Sequence, residues 1–198
     1  MNAIVGVLLA AGRGTRFGGD KLRAQLSGAV ERSTVGPAAR STIGIAAARH
    51  LIDALPASIA VVRHGDAALE TDLAAVGLRV VRCANADDGM GASLACGVRA
   101  APDADGWVVA LGDMPWIEPA TIRAVAAAIA SGANIVAPAF RGTRGHPVGF
   151  ARSYGGELAA LAGDAGARAI LERERAQLTL IDVDDAGVLR DVDTPGQC

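Results

Sequence analysis

Residues 8–21 read LLAAGRGTRFGGDK, an apolar run that passes abruptly into four glycines, two arginines and a lysine. The apolar residues from Ala3 to Leu9 predict a strand covered on both faces. The glycines after it predict a turn whose backbone N–H groups can approach an anion closely, with Arg16 and Lys21 supplying charge. Two common nucleotide loops do not fit. The pattern G-x-G-x-x-G is met by Gly12 and Gly14, but Phe17 stands in its third place. The pattern G-x-x-x-x-G-K-[ST], begun at Gly14, reaches Gly19 and then meets Asp20 where the lysine belongs.

Working outward from this stretch, short Val-rich runs alternate with Ala/Leu-rich ones. Ala3–Leu9, Ser58–His64, Leu78–Cys83 and Gly106–Asp113 predict strands. TIGIAAARHLIDAL, DAALETDLAAV, ASLACGVRAA and PATIRAVAAAIASG predict the helices between them. The last opens on Pro119 and is followed by Gly132, the usual asymmetry of helix start and stop. A βαβαβαβ order implies an α/β, doubly wound, mostly parallel sheet of Rossmann-like type. After residue 134 the rhythm changes. NIVAPAF and PVGFAR flank RGTRGH as two strands joined by a Gly-rich turn, followed by two helical runs, the strand QLTLIDV and a closing DVDTP. The expectation is a single domain over residues 1–198 with a small hairpin and helical elaboration at its C-terminal end. Residues 26–41 have weak periodicity and read as a loop or short irregular strands.

Composition narrows the function classes. With 198 residues, 51% hydrophobic and 20% charged, the chain can bury a core. A net charge of −2 gives no electrostatic ground for nucleic-acid binding, so an anionic substrate must be met by locally placed cations. Cys83, Cys96 and Cys198 lack the spacing of a disulfide framework or a zinc site, which favours a reducing, cytoplasmic setting. IVGVLLAA lacks a basic flank and is too short to span a bilayer, so neither a leader nor a membrane contact is expected.

The string Ala10, Ala11, Gly12, Gly14, Arg16, Gly18, Lys21 resembles the A-A-G-x-G-x-R-x-G-x-x-K signature of the sugar-nucleotide-transferase-like nucleotidyltransferases. A second match is LGDMPWI, residues 111–117. An aspartate just beyond the carboxyl end of a central strand lies in the ligand crevice of an open α/β sheet, where a hard carboxylate suits Mg²⁺. Taken alone, Asp113 reads better as a helix N-cap before EPATIR; beside the first motif, that reading is the weaker one. Asp193 in DVDTP aligns with the second metal-binding position of these proteins, against a plain turn before Pro195.

Further motifs resemble the molybdenum cofactor cytidylyltransferase-like branch. GMGASLACGV, residues 89–98, is similar to its base-recognition loop, with Ser93 placed as a helix N-cap. RGHPVGF, residues 144–150, is similar to its acceptor motif, and GDAGARAIL, residues 163–171, to a further conserved-looking segment of it. The fit is weakest after Lys21, where relatives read K-L-L-x-P-L and this chain reads KLRAQL. The resemblance implies a nucleotide-diphospho-sugar transferase type of fold. It also implies Mg²⁺ on Asp113 and Asp193, with Arg16, Lys21 and Asp113 in catalysis. The nucleotide would lie on Leu9, Ala10, Ala11, Gly12, Gly14, Lys21, Gly89, Gly91 and Ser93, and the acceptor on Arg144 and His146. The implied reaction moves a nucleoside monophosphate from an NTP, CTP favoured, to a molybdopterin-type acceptor, and a molybdoenzyme could receive the product. A guanylyltransferase using GTP and a non-catalytic insertion chaperone on the same fold stay open. A dehydrogenase is disfavoured by Phe17. His50 and His64 have no motif around them and read as structural.

Overall fold

The computed structural model describes residues 3–14, 17–26, 41–194 and 196. Its centre is an eight-stranded sheet. Strands β1 (Ile4–Leu9), β2 (Ile59–Arg63), β3 (Arg79–Cys83) and β4 (Gly106–Leu111) alternate with helices α1 (Ile43–Ala54), α2 (Ala67–Ala75) and α3 (Met90–Ala100). Helix α4 (Pro119–Ala130) leads into β5 (Ile135–Phe140), β6 (Thr143–Arg144) and β7 (Val148–Ala151). Short helices α5 (Gly155–Ala159) and α6 (Arg168–Arg173) precede β8 (Leu178–Asp182). The strands lie in the order β3-β2-β1-β4-β7-β5-β6, and β8 pairs with β5. All of β1–β4 run parallel, and β8 runs parallel to β5, whereas β7 is antiparallel to both β4 and β5. The expected α/β, doubly wound, mostly parallel sheet is therefore present, with one reversed strand inside it.

Successive side chains of a strand point to opposite faces, and here both faces are covered. Leu8, Ala60, Val62, Val108 and Ala110 pack under α1, α2 and α4 through Leu51, Leu73 and Ile122. Val7, Ile59, Val61, Trp107 and Val109 pack under α3, α5 and α6 through Leu94, Leu158 and Ile170. The continuous apolar runs of β1, β2 and β4 follow directly from this double burial.

The C-terminal third departs from the simple reading. NIVAPAF and PVGFAR do pair as antiparallel strands, but the chain between them first folds back as β6, joined to β5 by a two-residue turn at Arg141–Gly142. Arg141 takes φ +50° there, and its guanidinium lies 5.0 Å from the centre of the Phe140 ring. The loop expected over residues 26–41 lies outside the described residues for 27–40. A single bridge between Gln25 and Thr42 marks where the chain enters and leaves it.

After β8 the chain returns across the carboxyl ends of β4 and β5, held by Asp185. This buried carboxylate accepts hydrogen bonds from Glu118 N (2.9 Å) and Thr121 Oγ1 (2.7 Å) through Oδ2, and from Gly187 N (2.9 Å) through Oδ1. Its negative charge faces the N-terminus of α4, where helix amides lack intrahelical partners. Farther along, His146 N donates to Val188 O and Val192 N to Asp113 O. Asp185→Ala leaves these donors buried and unpaired. Its expected cost is about 2–4 kcal/mol, read by urea unfolding, with turnover falling as the segment bearing Asp193 loosens.

Candidate functional site

The chain leaves β1 between its neighbours on both sides: Leu9 is in register with Val61 and Leu111, and Ala10 N donates to Val61 O. Ala10 and Ala11 are buried, so only small side chains fit at this crossing. The loop then opens, and a Cβ added at Gly12 would meet nothing within 4 Å. Gly14 is different. It takes φ +57°, and a Cβ there would come within 2.8 Å of Gly19 O, so the loop folds back on itself at a place only glycine fills. Phe17 N donates to Gly14 O and Lys21 N to Gly19 O, closing the turn. Arg16 lies outside the described residues.

Lys21 opens a short 3₁₀ turn, Lys21–Arg23, and its side chain is only 11% exposed. Its amine donates to Asp113 Oδ2 at 2.9 Å and to Asp193 Oδ1 at 3.4 Å. Three residues read separately from the sequence, 92 and 172 positions from the lysine, thus converge on one point. Asp113 sits two residues beyond the end of β4 and does not cap a helix, since α4 has Glu118 as its N-cap. Its Oδ1 atom is buried with no hydrogen-bond partner among the described residues. Two hard carboxylates, one with an orphaned oxygen, fit a divalent ion of the Mg²⁺ or Mn²⁺ kind, whose remaining ligands would be water and phosphate oxygens. Among the described residues no three His, Cys, Asp or Glu side chains form a cage that would hold an ion unaided.

The expected acceptor residues lie on the far side of Asp113 from the glycine loop. Arg144 is exposed on β6, and His146 is partly buried, with Nδ1 lacking a partner. Burial pushes the imidazole below its ordinary pKa and Arg144 adds to the effect, while Asp113 and Asp191 draw it partly back. His146 is thus within electrostatic reach of Asp113, Asp191 and Arg144, and its neutral form is favoured.

The base-recognition residues are reordered. Helix α3 begins at Met90 with Gly89 as its N-cap, so Ser93 does not cap the helix but is buried within its first turn. The Ser93 reading took ASLACGVRAA as the helix, and the structure begins it two residues earlier, at Met90. Gly89 takes φ +118°, and a Cβ there would come 2.3 Å from Asp164 Oδ1. Gly91 N donates to Gly163 O at 2.8 Å. These glycines admit the 162–164 segment against the start of α3, which unites two motifs separated by some seventy residues in a single wall.

Sequence reasoning passed over two contributors. Arg63, the last residue of β2, donates from Nη2 to Gly12 O at 3.2 Å, and the signal was a cation at the carboxyl end of a parallel strand. Arg13 pairs with Asp87 in a bidentate fashion along one guanidinium edge, Nε donating to Oδ1 at 2.8 Å and Nη2 to Oδ2, tying the glycine loop to the turn before α3. The pair holds the Asp87 carboxyl below its usual range. A recess of about 20 Å³ remains between Gly12, Gly19, Lys21, Arg63 and Asp66. That is room for about one water, so a triphosphate would have to displace side chains. His50 and His64 lie apart from these groups, on α1 and just beyond β2. No helix among the described residues is long and apolar enough to cross a membrane.

Comparison with known proteins bears on the whole arrangement. The model of the MobA-like NTP transferase domain matches residues 6–178. Purine catabolism protein PucB of Bacillus subtilis (strain 168) is 29% identical over 204 residues, covering 97% of this chain and 92% of that protein. The structure of Rv0371c from Mycobacterium tuberculosis H37Rv is 31% identical with a TM-score of 0.80, covering 100% of this chain and 96% of that one. The same protein solved as a complex with manganese gives 30% identity and a TM-score of 0.72, over 98% and 95%. A nucleotidyl transferase from Methanothermobacter is 25% identical with a TM-score of 0.77, over 100% and 94%.

Proposed function

The chain belongs to the MobA-like NTP transferase domain family, and from that premise we propose that it transfers the nucleoside monophosphate of CTP to the phosphate of a molybdopterin-type acceptor, releasing pyrophosphate. The single observation that carries the reading is the meeting of Lys21, Asp113 and Asp193 at the mouth of the glycine loop. The choice of CTP and acceptor is supported by the likeness of Arg144–Phe150 and of DVDTP to the cytidylyltransferase branch. The receiving partner in this reading is a molybdoenzyme.

The chemistry asks little covalent work of the protein. An acceptor phosphate oxygen, already anionic near neutral pH, attacks the α-phosphorus in line. The new P–O bond forms as the bond to the β-phosphate bridging oxygen breaks, and pyrophosphate leaves with that electron pair. The open backbone at Gly12 and the turn at Gly14 let amides reach the phosphates, and Lys21 supplies a mobile ammonium for the charge that develops there. A divalent ion held by Asp113 and Asp193 would neutralise phosphate charge during the same step. Arg144 and neutral His146 orient the acceptor phosphate, the first by charge and the second by a hydrogen bond. Arg16 completes the cationic set by the signature it belongs to.

The test uses purified protein with MgCTP or MgGTP, each with molybdenum cofactor, and reads pyrophosphate release. Turnover with CTP is expected. Turnover with GTP alone would move the protein to the guanylyl branch, and cofactor binding without pyrophosphate from either nucleotide would make it a carrier.

A further inference from the structure

The Lys21 amine lies between the two carboxylates expected to hold the metal, 2.9 Å from Asp113 and 3.4 Å from Asp193. Its side chain is nearly withdrawn from solvent, and its backbone is pinned by the bond from Lys21 N to Gly19 O at 2.7 Å. A divalent ion entering this site must share the carboxylates with an ammonium or displace it, and like charges at shared ligands repel strongly. Two carboxylates also fall short of a divalent ion's coordination number, and water or phosphate oxygens would complete it.

We propose that Lys21 is a resident counter-ion that keeps the divalent metal out of the nucleotide-free protein and releases the carboxylates only when a triphosphate offers its amine another anion. The idea rests on the nucleotidyltransferase reading of the site. Metal and nucleotide then bind with positive coupling, each raising the affinity of the other by the same factor. Lysine suits the task better than arginine, being a compact charge on a four-carbon stem that can swing while its backbone stays fixed. Gly14, whose turn packs against the Lys21 Cβ, sets the stem's origin between loop and carboxylates. The metal is thereby admitted as part of a substrate complex.

The experiment is a Mn²⁺ titration of the nucleotide-free protein, followed by the electron paramagnetic resonance of free Mn²⁺. Lys21→Met is expected to bind one Mn²⁺ at least about tenfold more tightly than wild type, a typical coupling factor. Adding Asp113→Asn to it should remove the site. Equal or weaker binding by folded Lys21→Met overturns the proposal. Should that variant not fold, wild-type crystals soaked in millimolar Mn²⁺ without nucleotide decide. Lys21 retained on both carboxylates with no Mn²⁺ at Asp113 supports it, and Mn²⁺ seated on Asp113 overturns it. None of these readouts requires turnover. A wild type that releases no pyrophosphate would remove the proposed activity and leave the Mn²⁺ result to be judged alone.

Discussion

Asp113→Asn lowers the rate of pyrophosphate release by about a thousandfold, near 4 kcal/mol of transition-state stabilisation, while the folded state loses little. Asparagine keeps the size and one acceptor oxygen, so the Lys21 amine retains a partner at 2.9 Å and the backbone bond from Val192 N is untouched. What disappears is one of the two negative charges that would face a divalent ion in the proposed reaction, together with the oxygen that has no hydrogen-bond partner among the described residues. Pyrophosphate release at saturating CTP, beside thermal unfolding of the same sample, checks both halves. A variant that keeps a tenth of wild-type turnover would exclude Asp113 from the metal site. One that loses activity only with its melting transition would make the effect structural.

Lys21→Met is expected to show a double effect. Turnover falls by about 10²–10³, because a positioned cation at the phosphates is lost. The nucleotide-free protein also loses about 1–2 kcal/mol, because the Lys21 ion pairs with Asp113 and Asp193 are removed. The figure stays small because Asp193 is 45% exposed and water screens it. Added Mn²⁺ should restore more melting temperature to the variant than to wild type. Thermal scans with and without Mn²⁺ read this directly, and equal shifts in the two proteins would deny the lysine its place among the carboxylates.

How much was legible in advance differs along the chain. The sheet's first half could be read because β1, β2 and β4 are covered on both faces, and such strands show as uninterrupted apolar runs. The approach of Asp113 to Lys21 followed from the rule that ligands gather at the carboxyl ends of parallel strands. The reversal of β7 against β5 was legible as a hairpin, but its place between β4 and β5 was not, since that depends on a pairing partner far away in sequence. Ser93 was misplaced for a local reason: glycine at position 89 can start a helix without a capping side chain, and a serine nearby was the stronger signal. Asp185 was hidden among Asp182, Asp184, Asp191 and Asp193, where only burial separates a structural carboxylate from an exposed one. Arg63 was marked only by its place at the carboxyl end of a parallel strand, and the Arg13–Asp87 pair is a long-range contact between residues common on surfaces that nothing local marks.

The insertion of β7 between β4 and β5 has a bearing on biosynthesis. β4 is complete when residue 111 has been made, yet the neighbour that satisfies its outer edge begins at Val148. A ribosome-bound or truncated chain ending before that point exposes a row of unpaired amides and carbonyls along β4. Such an edge is a template for pairing with other chains. Fragments cut between residues 112 and 147 should therefore self-associate, whereas extension through Ala151 gives that edge the strand it lacks.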